Sequence, residues 1–418
     1  MAPALGIIAD DFTGAVMVAS YLETAGIACP VVFDAAALRD DEAAPVLMAG
    51  SRTRLIPVDA ARAETARLIA ALERAGCARV VYKGCATFDS TAEGNIGTAA
   101  ELLAGRDPDH PVLLSAGFPA LNCTVHQGHL FYRGRLVSDS IKRHDPLTPM
   151  ADPDLVRFLS LQTRSPVGLL PHAVLVQGEA AAVAELRRLR AAGFRHVLLD
   201  ASDENDVAVS AALALPAGPV VASDPLVIAL AKRLAAGRPS AERPPLRHAD
   251  GPAVVLAGSV GPVVLAHLAA FESRYPVLRL DLLDGRSEEA MVAEALARAT
   301  PLVGPEPFAV TTAAAPDEVE RAQAAFGAMG AARKAERLLA AVAAGLQARG
   351  VRRFAVAGGE TSGAVVAALG VRRVRVLPEN PVGTGFCIAE DGPPLSLYLK
   401  PGKLGADDIL LRAMAALG

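Results

Sequence analysis

An α/β architecture of two lobes, each built on a largely parallel sheet with an interdomain cleft, is the fold class the sequence predicts, on three observations. Short Val-rich apolar runs alternate with stretches that carry apolar residues at three- and four-residue spacing. The 418 residues exceed what a single hydrophobic core usually supports. A polar segment rich in Pro and Gly, 237–252, divides the alternation into two series. The expected domains are therefore 1–240 and 252–418.

In the first series, strands are expected at 5–9, 30–33, 45–49, 79–83, 111–115, 174–176, 196–200 and 220–223. Helices are expected between them at 13–25, 58–75, 95–104, 180–192 and 225–236. That alternation implies a parallel, doubly wound sheet. The second series places strands at 253–257, 277–281, 308–311, 354–357, 374–377 and 395–399. Its helices fall at 262–272, 287–299, 331–348, 361–368 and 406–416.

Composition narrows the function classes. Hydrophobic residues make up 52% of the chain, aromatics only 4%, and Trp is absent, which favours helices on Val-rich strands over a β-sandwich. The formal net charge is −4, with 41 basic and 45 acidic residues scattered rather than striped, so nucleic acid is not an expected partner. The start enters a strand without the pattern of a signal peptide, and no apolar run reaches the ~18 residues of a membrane span. The five cysteines form no C-x-x-C pair, which argues against a disulfide framework or a cysteine zinc site. A cytoplasmic protein with no membrane partner is expected. An apolar helix face serves a core or a homodimer contact equally, and both readings stand.

The densest chemistry lies at the first strand-to-helix junction, Ile7-Ile8-Ala9-Asp10-Asp11-Phe12-Thr13-Gly14-Ala15. In an open α/β sheet the carboxyl end of a strand is where ligands bind. One carboxylate there suffices as a helix cap; a second exceeds that need. Further polar groups cluster in Ser51-Arg52-Thr53-Arg54 and in the run Tyr82 to Thr91. Arg52 or Arg54 suits a bidentate grip on a carboxylate, Lys83 stands at a strand end, and Asp89 suits a hydroxyl. The segment from His126 through Met150 holds His129, Arg143 and His144 with little helical pattern. His126 and His129 have no further ligands at metal spacing, so no metal ligand set is assigned.

In the second lobe Ala357-Gly358-Gly359-Glu360-Thr361-Ser362-Gly363 joins a strand to a helix through glycines and hydroxyls, the composition of a phosphate cradle. Glu360 suits a Mg²⁺ or ribose contact better than a phosphate. Ala257-Gly258-Ser259-Val260-Gly261 and Asn380-Pro381-Val382-Gly383-Thr384-Gly385 follow other strands of that lobe. The tail Leu399-Lys400-Pro401-Gly402-Lys403-Leu404-Gly405 adds cations beside a turn. None of these is a Walker A loop or a dinucleotide fingerprint.

Taken together, IADDFTGA, SRT, YKGCATFDSTAEGNIG, VHQGHLF, RHDPLTPM, AGGETSGAV, NPVGTGF and LKPGKLG resemble the four-carbon acid sugar kinase family, across both lobes. The resemblance implies a sugar-acid-binding N-terminal lobe and an ATP-binding C-terminal lobe that close on each other. The implied reaction is phosphorylation of the terminal C4 hydroxyl of a four-carbon 3-oxo acid, with Mg²⁺ as the counter-ion of ATP. It implies ATP contacts at Ser259, Gly359, Glu360, Thr361, Ser362, Gly363, Gly383, Gly385 and Gly402. The acid would meet Asp10, Arg52, Lys83, Asp89, His129, Arg143 and His144, and Asp11 or Asp10, with Asp89 as runner-up, would orient the attacking hydroxyl. The chain departs from the family pattern at Val16-Met17-Val18 and at 401–405, which bear on fine substrate preference and tail contacts. A kinase for D-threonate or D-erythronate and a two-lobed, non-catalytic sugar-acid-binding protein are the alternatives. A dehydrogenase lacks its dinucleotide fingerprint.

Overall fold

The computed structural model describes residues 2–39, 43–238, 243, 246, 248–402 and 404–417. Most of the expected linker core, 239–242, 244–245 and 247, and Lys403 of the tail lie outside these. Internal packing divides the chain into two compact units: Met1–Asp10 with Leu38–Ala241, and Asp11–Ala37 with Glu242–Gly418. This differs from a single cut near residue 240 in one segment, 11–37. That segment carries the helix Phe12–Thr24, which packs on the helix Gly359–Ala368, so its apolar face belongs to the second unit.

The sheet of the first unit runs in the order Val46–Gly50, Leu5–Ala9, Val80–Lys83, Val220–Ala222, Val112–Ser115, His196–Leu199, Val167–Leu170. Every neighbouring pair is parallel. Strands covered on both faces need apolar residues throughout rather than alternately, and Leu5, Ile7, Ile8, Val81, Leu113 and Leu198 are all buried.

Besides two further helices, Leu155–Ser160 and Glu204–Ala214, two features depart from the expected pattern. Residues 174–176 are not a strand: Pro171 separates two apolar runs, ending the strand Val167–Leu170 and starting the helical turn His172–Leu175. Proline favours the first turn of a helix and denies a ladder donor to a strand, which decides the two runs oppositely. The stretch after the fifth strand is an antiparallel ribbon, Cys123–His126, His129–Tyr132 and Arg135–Leu136. Its turns are made by Gln127-Gly128 (φ 49° and 75°) and Arg133-Gly134 (φ 52° and 77°), left-handed pairs that match the twist of a tight hairpin.

The sheet of the second unit runs Val277–Arg279, Phe308–Thr311, Ala253–Ala257, Arg353–Ala357, Ser396–Lys400, Phe386–Ala389, Arg373–Val376, Val31–Val32. The first five are parallel and the last three antiparallel. The helices Pro262–Glu272 and Ile409–Ala416 cover one face, burying Val264, Leu268, Phe271, Ile409 and Leu410 against Val255, Ala355 and Tyr398. Among the described residues no helix is long and apolar enough to cross a membrane.

At the end of the helix Phe12–Thr24 the Glu23 carboxylate, 6% exposed, accepts from Arg243 Nη1 at 2.9 Å and from the Cys29 N–H at 2.8 Å. Replacing Glu23 by Ala strands a guanidinium and a backbone donor together. Glu23→Ala is therefore expected to lower unfolding stability by about 1–3 kcal/mol, read as a lower denaturant midpoint in urea. A midpoint equal to that of the unsubstituted chain would remove this pair from the anchoring of segment 11–37.

Candidate functional site

Because all seven strands of the first sheet are parallel, their carboxyl ends share one edge. Asp10 leaves the first strand fully buried, its N–H donating to the Lys83 carbonyl at 3.0 Å. A buried carboxylate needs a cation, and Arg54 supplies it in a fork: Nε to Oδ2 at 2.9 Å and Nη2 to Oδ1 at 2.8 Å. Lys83 is buried as well and pairs with Asp224 at 3.4 Å. Arg52 is half-buried on the same edge. Below them runs a chain of hydrogen bonds that locks the loops: Ser51 to Thr53 at 2.9 Å, Thr53 to the Tyr82 hydroxyl at 2.8 Å, Asn95 to Tyr82 at 3.3 Å and Ser90 to Asn95 at 2.7 Å. Burial pushes the Tyr82 phenol well above its usual range, so it stays a neutral hydroxyl, which accepts from Asn95 Nδ2.

Asp89 accepts from Thr87 Oγ1 at 2.8 Å and pairs with Lys142. Lys142 was not foreseen as a site residue. It is 1% exposed, it also faces Asp145 at 3.8 Å, and it stands one position before the predicted Arg143. Burial alone would lower its pKa, but the Asp89 carboxylate outweighs this and holds the ammonium above the ordinary lysine value. Arg143 and His144 are exposed. His129 lies in the ribbon, half-buried, with Nδ1 on the Gln127 carbonyl at 2.8 Å, while His126 Nδ1 meets Ser202 Oγ at 2.9 Å, so each imidazole has a local partner.

Asp11 falls in the second unit. It is the N-cap of the helix Phe12–Thr24: Oδ1 accepts from the Gly14 N–H at 2.8 Å and Oδ2 from Thr13 Oγ1 at 2.7 Å. The two adjacent aspartates thus have separate partners, an arginine fork and a helix start.

In the second sheet the parallel strands again end at one edge, and the glycine loops meet there. A Cβ on Gly258 would lie 2.4 Å from Thr361 Oγ1, and one on Gly358 (φ 128°) 2.9 Å from the same atom. A Cβ on Gly402 would lie 2.0 Å from Ser259 Oγ. Three of the predicted loops therefore converge on Ser259 and Thr361, within the distances only glycine allows. The loop is tied down by Gly358 N–H to the Lys400 carbonyl at 2.9 Å, and the helix Gly359–Ala368 starts from it with Gly363 buried in its first turns.

Among the described residues, Ser362 Oγ on that first turn is buried without a hydrogen-bond partner, as is Thr312 Oγ1 just beyond the strand Phe308–Thr311, two strands away. Thr312 was not anticipated; a hydroxyl at the carboxyl end of a strand was its only signal. Glu360 pairs with Arg333 at 3.5 Å. Gly385 (φ 109°) is required by its own strand pairing, since a Cβ there would meet the Leu399 carbonyl at 2.6 Å, and Gly383 (φ 124°) closes the Asn380 turn with open space around it. Those two glycines are explained by backbone geometry. The cradle itself is Gly258, Ser259, Gly358 to Ser362 and Gly402.

Residues 5–230 match the sugar-binding N-terminal domain family and residues 254–410 the nucleotide-binding C-terminal domain family. A 3-oxo-tetronate kinase of Burkholderia multivorans is 38% identical over 423 residues, covering 99% of this chain and 97% of its own. A 3-oxo-tetronate kinase of Cupriavidus necator is also 38% identical, over 432 residues, covering 100% of this chain and 98% of its own. A crystal structure from Salmonella typhimurium LT2, described as a tRNA synthase, superposes with a TM-score of 0.81 at 31% identity and 99% coverage of both chains. With both halves matched and relatives similar along its whole length, the chain belongs to the four-carbon acid sugar kinase family.

Proposed function

We propose that the chain is an ATP-dependent kinase that transfers a phosphoryl group to the C4 hydroxyl of a four-carbon 3-oxo sugar acid, 3-oxo-tetronate. The observation that carries this reading is the junction at Ser259, Thr361 and Gly402, where three loops approach so closely that only glycine fits at 258, 358 and 402, bringing hydroxyls and backbone groups suited to phosphate to one edge. It occurs in a chain whose relatives are named for this activity.

ATP with its Mg²⁺ supplies the phosphoryl group when bound. The residues present fit it: Ser362 Oγ is buried without a partner at a helix N-terminus, and backbone N–H groups of the first turn of Gly359–Ala368 offer anion contacts. Phosphoryl transfer rests on positioning and charge neutralisation, and the first unit's edge is suited to hold the acid. Arg52 takes the acid's carboxylate, with Lys83, His129, Arg143 and His144 as further contacts. Asp10 is the fixed counter-charge of Arg54, and Asp11 fixes the start of its helix. That leaves Asp89 to orient the attacking hydroxyl. Its side chain is 15% exposed and stands beside Lys142, whereas the Asp10 side chain is 0% exposed. Glu360, held by Arg333, lies at the cradle's edge for the ribose or the metal-bound phosphates.

The overall reading is tested by ADP release with 3-oxo-tetronate, D-threonate and D-erythronate, each with and without Mg²⁺. Mg²⁺-dependent release with the 3-oxo acid is expected. Preference for threonate or erythronate would shift the substrate within the family, and silence toward every acid would leave only the non-catalytic binding protein.

Asp89→Asn is expected to lower kcat by on the order of 10²–10³-fold with the KM for ATP unchanged. Asp11→Asn should stay close to the unsubstituted rate, because asparagine caps helices as well as aspartate does. The reverse ranking in steady-state assays would return the hydroxyl-orienting role to Asp11. Gly402→Ala, which drives a methyl into Ser259, should raise the KM for ATP by about tenfold or more while leaving the KM for the acid in place, a split that initial-rate measurements resolve.

A further inference from the structure

Lys83, Lys142, Lys334 and Lys400 are all buried, and the first three are compensated. Lys83 has Asp224, Lys142 has Asp89 and Asp145, and Lys334 donates to the Leu282 carbonyl at 2.8 Å and sits 4.6 Å from the Phe326 ring centroid. Lys400 is 3% exposed, and among the described residues its one hydrogen-bond partner is the carbonyl of its neighbour Pro401 at 2.7 Å. Among the described residues no carboxylate pairs with it. An ammonium carries three donors, and burying one uncompensated is costly.

Its place in the fold shows what would compensate it. Lys400 ends the strand Ser396–Lys400, and its own carbonyl accepts the N–H of Gly358 in the cradle at 2.9 Å. Residues two apart on a strand share a face, so Lys400 lies on the face of Tyr398, under the helices Pro262–Glu272 and Ile409–Ala416. The first of these helices starts from the turn that holds Ser259, and two residues beyond Lys400, Gly402 abuts Ser259 itself. The titratable group coupled to it is His267 on the first of these helices, which also faces Asp407; Arg412 on the second acts on Tyr398.

We propose that Lys400 is the nucleotide-phosphate counter-charge of the cradle, and that nucleotide binding is coupled to proton uptake at its amine. This rests on the reading of the second unit as the ATP site. Burial, with no carboxylate to oppose it, lowers the Lys400 pKa to about 7. A phosphate anion at the cradle reverses the balance, favouring the charged form. Arginine at this position would be charged in both states and could not report binding in this way.

The test is titration calorimetry with ADP in buffers of different ionisation enthalpy. At pH 8 the unsubstituted protein is expected to take up about one proton per ADP, and at pH 6, where the lysine is already charged, close to none. Lys400→Arg should bind ADP without the pH 8 uptake, and Lys400→Met should bind about tenfold more weakly, also without it. ADP binding with no proton uptake in the unsubstituted protein, or uptake undiminished in both variants, overturns the proposal while leaving the nucleotide site intact. Absence of ADP binding altogether in the unsubstituted protein overturns the site and the proposal with it.

Discussion

The second unit is built around a close approach of three loops in which a single methyl group cannot be accommodated. With 2.0 Å between Ser259 Oγ and a Cβ at 402, and 2.4 Å between Thr361 Oγ1 and a Cβ at 258, the backbone itself forms the wall of the cradle. Parallel strands make this possible, since Ala253–Ala257, Arg353–Ala357 and Ser396–Lys400 are adjacent and end at the same edge. The antiparallel strands beyond them serve a different purpose. Gly385 lets Phe386–Ala389 approach Leu399 and so fixes the strand that delivers Lys400 and Gly402.

The first unit meets the opposite problem, too many charges at a dry edge. Asp10, Lys83, Lys142 and Asp224 are each within 2% of full burial, and each is neutralised by a neighbour of opposite sign. Such pairs contribute little net stability once desolvation is counted, so their value lies in holding side chains in fixed positions. The uncharged chain from Ser51 through Tyr82 to Ser90 does the same work at lower electrostatic cost. An acid that enters this edge meets groups already oriented rather than ones that must be ordered on binding.

Much of this organisation was legible in the residues, and the exceptions have physical causes. Pro262–Glu272 and Phe308–Thr311 were read as they stand because proline or threonine bounds an uninterrupted apolar stretch. Val167–Leu170 was displaced onto 174–176 because Val-Gly-Leu-Leu and Val-Leu-Val are equally apolar, and only Pro171 and the close packing of Gly168 against Leu189 and Phe194 tell them apart. The ribbon at 123–136 left a signal in Gln127-Gly128 and Arg133-Gly134 that composition alone does not weigh. The approach of the loops at 258 and 358 follows from their shared position after strands, whereas the expected third loop, 380–385, has glycines set by its own turn and strand pairing, and the tail at Gly402 is the one that meets Ser259. Lys142 was not, since its partner Asp89 is distant in sequence and a lysine beside Arg143 and His144 reads as one more surface cation.

The adjacent aspartates at 10 and 11 show how one short motif can serve two units. Side chains of consecutive residues leaving a strand point to opposite sides, so a doubled carboxylate is a device for sending one charge each way. Asp10 goes to Arg54 and stays with the first unit; Asp11 turns to Gly14 and Thr13 and starts the helix that packs in the second. Neither task by itself needs a pair. Moving the motif by one residue would place the cap carboxylate against Arg54 and the fork carboxylate at the helix start, satisfying neither geometry. The spacing is therefore set by the point where the chain passes from one unit to the other.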